Sequence, residues 1–285
     1  MKKIILGGLI LTMSFALLTG CGGQEDNGEN SQVDVLSGKV VIAGSTSVQP
    51  LSEELAEAFK ADYPEVTVEI QGGGSSVGVK SANDGIADIG AASRELKSSE
   101  ENMGLTTYVI AKDGIAVIAN AEGTTDDITL EEARKIFMGE ITNWKELGGD
   151  DTEIIVVSRE EGSGTRGAFT EIAGVLGKND AGEDVDMTTQ NALVQPSTGA
   201  VKQTVATTPN SIGYISLAAL DNTVKAMKIE GVEATAENII NGSYKISRPF
   251  LYLTKGKVSE VTQTFIDFVM NEGQEIVKEE FISVK

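Results

Sequence analysis

The sequence predicts an α/β fold of two lobes, built on a mainly parallel sheet with right-handed crossovers. Three observations predict it. Short β-branched runs alternate with amphipathic helical segments, and glycine- and hydroxyl-rich loops stand where strands give way to helices. The 285 residues, 40% of them hydrophobic, also exceed what one small core holds. Lys39 to Ala43 reads as the first strand. Pro50 to Lys60 reads as a helix, with Leu51, Leu55, Ala58 and Phe59 on one face and Glu53, Glu54 and Glu57 opposite. Val66 to Ile70 is the next strand, a helix follows from about Val77, and Ala87 to Ala91 is a buried strand, which completes a βαβαβ run. Tyr108 to Ile110 and Gly114 to Ala119 read as two further strands, Leu130 to Met138 as a helix, and Glu153 to Val157 as a strand feeding a helix near Gly167. The polar stretch Lys178 to Asp186 precedes a helix around Gly199 to Thr207. Strands at Ile212 to Ile215 and Leu251 to Leu253 follow, and Val258 to Met270 is a terminal amphipathic helix.

Composition excludes several chemistries. The chain has no histidine, so it lacks a Ser-His-Asp or Cys-His nucleophile pair, a His-ligated zinc and an imidazole acid–base group at neutral pH. A formal net charge of −20, with no dense Lys/Arg run, argues against a nucleic-acid partner. The N-terminus reads as an address. Lys2-Lys3, the apolar run Ile4 to Leu18 and Thr19-Gly20 have the layout of a secretory signal peptide over residues 1–20, too short to span a membrane comfortably. Leu18-Thr19-Gly20-Cys21 resembles the bacterial lipobox, in which the cysteine becomes the lipidated first residue of the mature protein. Cys21, the one cysteine of the chain, has no internal partner. Residues 21–38 are polar, acidic and glycine-containing, a flexible tether between acyl chains such as palmitate on Cys21 and the folded body. Contact with the membrane is expected through that lipid anchor only.

Three loops share one chemistry: Gly44-Ser45-Thr46-Ser47, Gly72-Gly73-Gly74-Ser75-Ser76 and Gly162-Ser163-Gly164-Thr165, each just before a helix. Free N–H groups of a first helical turn, the positive end of its dipole and nearby hydroxyls make an anion cradle, and glycine lets the backbone approach a ligand. Any one such loop is ordinary helix punctuation. Three together, with Arg94 and Arg159 at strand ends, point to a small tetrahedral oxyanion held by hydroxyls, N–H groups and a guanidinium fork. Two tempting motifs carry less. Gly162 to Gly167 fits G-x-G-x-x-G, but Arg166 stands inside it and no ribose-binding acid follows, which argues against a dinucleotide. Gly74 to Gly78 fits G-x-S-x-G, yet Ser76 has no histidine to serve it. The acidic residues Asp180, Glu183, Asp184 and Asp186 lack EF-hand spacing and read as a solvated loop; no metal is expected.

In order along the chain, AGSTSVQPL, GGGSSVGVK, ADIGAASRELK, ITLEEARKIFMGEITNWKELGG, SREEGSGTRGAF, NSIGYISL and YKISRPFLYLTKG resemble the substrate-binding lipoproteins of phosphate ABC transporters, the Pst system. The resemblance implies a two-lobed type II periplasmic-binding-protein fold with two crossing strands as hinge. Lobe 1 is expected at 39–112 plus 211–285 and lobe 2 at 113–210. It implies a monomer with no cofactor and no catalysis, binding inorganic phosphate and delivering it to ABC permease subunits on the extracytoplasmic side of a bacterial membrane. Carried over singly, Thr46 and Ser47 donate from the first loop and Ser75 from the second. Arg159 supplies charge, and Ser163, Gly164 and Thr165 donate from the second lobe. Several members carry an aspartate after the strand matching Asp88 to Ala91, which accepts the proton of phosphate; here Ala92-Ser93-Arg94 stands in its place. That departure leads to the expectation that Ser93 and Arg94 both contact phosphate, Arg94 favouring the dianion. Sulfate, molybdate or tungstate as ligand, and a surface adhesion protein retaining the fold, stand as alternatives. Trp144 is expected in the core.

Overall fold

The computed structural model describes residues 35–180, 182 and 184–285. The expected signal peptide, the lipidation site Cys21 and the tether up to residue 34 lie outside the described residues, as does Glu183. Strands β1 (Gly38–Gly44), β2 (Val66–Gly72) and β3 (Ile89–Ala92), with helices α1 (Gln49–Asp62) and α2 (Ser75–Asn83) between them, form the expected βαβαβ run. β1 pairs in parallel with both β2 and β3. In α1, Leu51, Leu55 and Phe59 bury completely, while Glu53, Glu54 and Glu57 stay exposed. Pro50 sits in its first turn, where the missing N–H is not needed. α2 lies unusually close to the sheet because two glycines face each other there. A Cβ on Gly78 would stand 2.3 Å from the Ala91 carbonyl oxygen, and one on Gly90 would stand 2.3 Å from that of Gly78.

Short helix α3 (Ser98–Glu101) leads into β4 (Leu105–Asn120). The two strands expected at Tyr108 and Gly114 are one strand of 16 residues, continuous through Asp113. Next come β5 (Asp127–Ile128), α4 (Leu130–Met138), β6 (Ile155–Arg159), α5 (Gly164–Ile172), β7 (Leu176–Lys178), β8 (Asp184–Asp186), β9 (Leu193–Gln195) and α6 (Thr198–Thr207). α4 occupies its expected residues because both ends are marked. Thr129 accepts from the Glu132 N–H at 3.1 Å, Glu132 accepts in return from the Thr129 N–H at 2.7 Å, and Gly139 closes the helix in the left-handed conformation. β10 (Ser211–Ser216), β11 (Val224–Ala226), β12 (Lys228–Ile229), α7 (Ala236–Ile240), β13 (Ser247–Lys255), α8 (Glu260–Met270) and α9 (Gln274–Glu280) complete the chain. The helix expected to be terminal is therefore followed by another.

The main sheet runs β2-β1-β3-β13-β4-β10-β6-β9, with β11 paired to β4. It is mixed rather than mainly parallel. The pairs at its two ends are parallel, whereas β13 pairs antiparallel with β3 and β4, and β10 and β11 pair antiparallel with β4. The antiparallel centre follows from β4 and β13 carrying the chain across the molecule in opposite directions. Two hydrophobic cores flank that crossing. One gathers residues from Val40 to Ala111 and from Phe250 to Phe281, with Phe59 edge-on to Phe265 at 5.1 Å. The other gathers Ile115 to Ile246, with Phe169 stacked on Tyr214 at 4.3 Å and Trp144 buried in it as expected. The segment 211–246 was expected in lobe 1, but its Ile212, Tyr214, Val224, Met227 and Ile239 pack in the second core. β10 binds β4 and β6, so the return crossing falls at Ser247 rather than Ser211. Among the described residues no helix is long and apolar enough to cross a membrane.

Candidate functional site

Strands β1, β2 and β3 of the first lobe and β6 and β9 of the second all end at the cleft between the cores. The loops that follow them meet there, as in other sheets whose ligands sit at the carboxyl ends of strands. From the first lobe come Ser45, Thr46 and Ser47 before α1, Ser75 and Ser76 at the start of α2, and Ser93 after β3. From the second come Gly162 to Thr165 at the start of α5, and Thr198 at the start of α6.

Most of their hydroxyls fall into two buried groups, joined where the Ser47 N–H donates to Ser45 Oγ at 3.3 Å. Ser47 Oγ lies 2.9 Å from Thr165 Oγ1 and 2.7 Å from Thr198 Oγ1, although these residues are more than a hundred positions away in sequence. Ser93 donates its N–H to Ser75 Oγ at 2.9 Å, and Ser45 Oγ donates to Ser93 Oγ at 2.8 Å. Arg159 is 1% exposed and spans both lobes: Nη1 donates to Thr198 Oγ1 at 3.3 Å and Nη2 to Thr46 Oγ1 at 3.2 Å. Its Nε and Nη2 also hold the Glu160 carboxylate, at 2.9 and 2.8 Å. Gly164 is the point of closest approach from the second lobe. A Cβ there would stand 2.1 Å from Ser75 Oγ and 2.6 Å from Ser93 Oγ. At the rim, the Ser76 N–H donates to the Gly162 carbonyl at 3.0 Å, a main-chain bond between the lobes.

The structure thus brings together Thr46, Ser47, Ser75, Ser93, Arg159, Gly164 and Thr165. Ser163 is beside them, but its hydroxyl caps α5, accepting from the Arg166 N–H at 3.2 Å. Arg94 lies at the edge of this set, where its Nη2 donates to Ser76 Oγ at 3.3 Å. Its Nη1 and Nη2 grip the two oxygens of Glu100 at 2.7 and 2.8 Å, and both side chains are buried. The Arg94 guanidinium is thus engaged by Glu100 as that of Arg159 is by Glu160. Burial raises the Glu100 carboxyl, but the Arg94 bonds and the Lys97 N–H outweigh it and hold the group below its ordinary value. Of the acidic stretch, Asp186 pairs with Arg166 at 2.6 Å and Asp184 with Lys178 at 2.6 Å.

Sequence reasoning missed three participants. Ser45 belongs to a loop already singled out. Thr198 follows the same pattern, since Ser197-Thr198-Gly199 opens a helix with hydroxyls and glycine and Ser197 caps it. Arg248, in β13, is 2% exposed and reaches Ser93 from below, with Nη1 3.2 Å from its Oγ. Nothing local in Ile246-Ser247-Arg248-Pro249 marks it.

Comparison with known proteins adds to this geometry. A sequence model described as the PBP superfamily domain matches residues 29–272. Phosphate-binding protein PstS of Bacillus subtilis (strain 168) is 32% identical over 281 residues, covering 95% of this chain and 90% of that protein. Among solved structures, a Clostridium perfringens protein with bound phosphate, assigned as a phosphate ABC transporter substrate-binding protein, superposes with a TM-score of 0.82 at 48% identity, covering 87% of this chain and 100% of that one. An ABC-type phosphate transport receptor from Vibrio cholerae superposes with a TM-score of 0.71 at 35% identity, covering 86% of this chain and 100% of the other.

Proposed function

This chain belongs to the PBP superfamily, and on that premise we propose that it binds inorganic phosphate between its lobes and hands it to an ABC permease. One observation carries the reading: a buried hydroxyl network joins Ser47 of one lobe to Thr165 and Thr198 of the other, with the buried Arg159 beside it. Thr46, Ser47, Ser75, Ser93, Arg159, Gly164, Thr165 and Thr198 are the ligand-facing set. Helices α1, α2, α5 and α6 all begin at this place, so their dipoles add positive potential where the anion sits. Hydrogen bonds to a charged group contribute about 1.5–3 kcal/mol each, so several offset the desolvation of the ion. The net charge of −20 does not oppose this, because its long-range field is screened over roughly 8 Å at physiological salt while the donors act at contact.

Binding closes the lobes on the ion and excludes water; no bond is made or broken, so the chain works as a carrier and not as an enzyme. The closed pair of lobes is what the permease recognises. The lipobox-like Leu18 to Cys21 supports attachment by a lipid at Cys21, outside the cell membrane, with the body acting as a monomer on its tether. Titration calorimetry of the anion-stripped protein with phosphate at pH 7 and 8, repeated in excess sulfate, tests the assignment. The expected result is one-to-one phosphate binding that sulfate does not displace. Absence of phosphate heat together with absence of thermal stabilisation overturns it, and displacement by sulfate shifts the reading to a general oxyanion carrier.

A further inference from the structure

Beneath the hydroxyl network, in the crossing itself, lies an ion pair between Asp113 of β4 and Arg248 of β13, which stand opposite each other in the antiparallel ladder. Both side chains are 1% exposed. Arg248 Nε and Nη2 donate to Asp113 Oδ2 at 3.2 and 3.0 Å. Its Nη1 points the other way, donating to the Ser93 carbonyl and to Ser93 Oγ, both at 3.2 Å. Its guanidinium carbon lies 5.4 Å from the centre of the Phe250 ring, a further favourable contact for the cation. Asp113 Oδ1 accepts from Ser216 Oγ at 3.0 Å, and the carboxylate also accepts from the backbone of Leu217, both on the second-core side. The pair therefore runs from the cleft floor of one lobe, through both crossing strands, to the end of β10 in the other.

We propose that Arg248 is a positioning residue for anion binding, which fixes the Ser93 hydroxyl as a donor toward the ligand and ties that donor, through Asp113, to the crossing strands. A serine hydroxyl has two acceptor sites and one proton. On Ser93 the acceptor sites are taken by Ser45 Oγ–H at 2.8 Å and by Arg248 Nη1 at 3.2 Å. Only the proton remains to be given. Its partner within the network, Ser75 Oγ, is 3.4 Å away, a long bond that a ligand oxygen would readily replace. The same orientation excludes Ser93 as an acceptor for a protonated phosphate. The ion pair is also polarised along the cleft axis, its cationic end under Ser93 and its anionic end toward Ser216, so the charge facing the ligand is positive although the pair is neutral.

This rests on the phosphate reading of the cleft, and the experiment separates the two. Phosphate dissociation constants are measured by calorimetry for the full chain and for Ser93→Ala, Arg248→Met, their double variant, Thr198→Val, and Thr198→Val combined with Arg248→Met. Arg248→Met leaves Asp113 buried without its cation, so Arg248→Met with Asp113→Leu, which removes both charges, serves as the folding-competent form if the single variant does not fold. Thermal melts establish that each variant is native. The expected result is at least a tenfold loss for Arg248→Met or its charge-free form, little added loss when Ser93→Ala is combined with it, and a full additional loss with Thr198→Val, which shares no hydrogen-bond partner with Arg248. Wild-type affinity without the Arg248 guanidinium, or losses that add fully with Ser93→Ala, overturns the positioning role. Phosphate binding that neither Ser93→Ala nor Thr198→Val weakens overturns the cleft reading, and the role of Arg248 with it.

Discussion

An alanine at position 164 is compatible with the backbone, because Gly164 opens helix α5 in an ordinary helical turn. Its Cβ is not compatible with the cleft, where it would stand 2.1 Å from Ser75 Oγ and 2.6 Å from Ser93 Oγ, both on buried side chains. The substitution Gly164→Ala should therefore act on closure rather than on helix formation. Overpacking of this kind costs about 1–3 kcal/mol, and it is expected to appear as a loss of phosphate affinity of tenfold or more with little change in melting temperature of the phosphate-free protein. A large drop in that melting temperature would show that the clash falls on the fold instead. At this scale most of the cleft was legible in the sequence. Ser47 stands just before a helix, and Ser75 and Thr165 in the first turn of one, each in a run of glycine and hydroxyl residues, and helix starts place such groups by local geometry. The partner of Arg94 was hidden, because only the fold-back after β3 brings Glu100 within reach. Arg248 was silent for the same reason: its two contacts, Ser93 and Asp113, are 155 and 135 positions away.

The Arg94–Glu100 pair also governs how one short element is held. Glu100 closes the start of α3 by accepting from the Lys97 N–H at 2.9 Å while it binds Arg94. Its carboxyl is held below the ordinary 4.5, so the pair contributes stability that is fully present above that pH and is lost as pH falls through the depressed value. Glu100→Gln should then lower the melting temperature at pH 7, where it strands a buried guanidinium at a cost of about 3–5 kcal/mol. The difference from wild type should shrink below pH 4.5 as the wild-type carboxyl protonates. Melting curves from pH 3 to 8 check this, and a difference independent of pH would contradict it. Among the elements themselves, those with marked ends were read well. α4 has its capping box and its C-terminal glycine, and α1 has its proline and a clean apolar face. β4 was split in two because Lys112-Asp113 looks like a break, yet a strand crossing between two cores carries its polar residues where a loop would otherwise be inferred.

For the molecule as a whole, the two cores are joined by the paired strands β4 and β13, by the cleft contacts, and by Ile282 and Ala218, each packed against the core of the other lobe. The crossing residues Asp113 and Gly114 on β4 and Ser247 and Arg248 on β13 are the natural pivot. Small-angle scattering should give a smaller radius of gyration with saturating phosphate than after exhaustive removal of anions; identical curves would mean that the lobes do not move. The lobe boundary was the least legible feature at this scale. Nothing in the composition of residues 211–246 separates them from the first lobe, and only the pairing of β10 with β4 and β6 assigns them to the second core. The mixed character of the sheet was hidden likewise, since strand direction depends on connections that span the whole chain.

The position of Trp144 has a spectroscopic consequence. It is the sole tryptophan of the sequence, and its ring is buried in the second core, with its Nε1 donating to the Asn210 carbonyl at 2.9 Å. The first core holds Tyr252 and no tryptophan. Light absorbed at the red edge near the indole band therefore interrogates one half of the molecule alone, while far-ultraviolet circular dichroism sums over both. Superposition of the two denaturation curves would mean that the halves melt as one unit, and any gap between them would measure how independently the half without an indole comes apart.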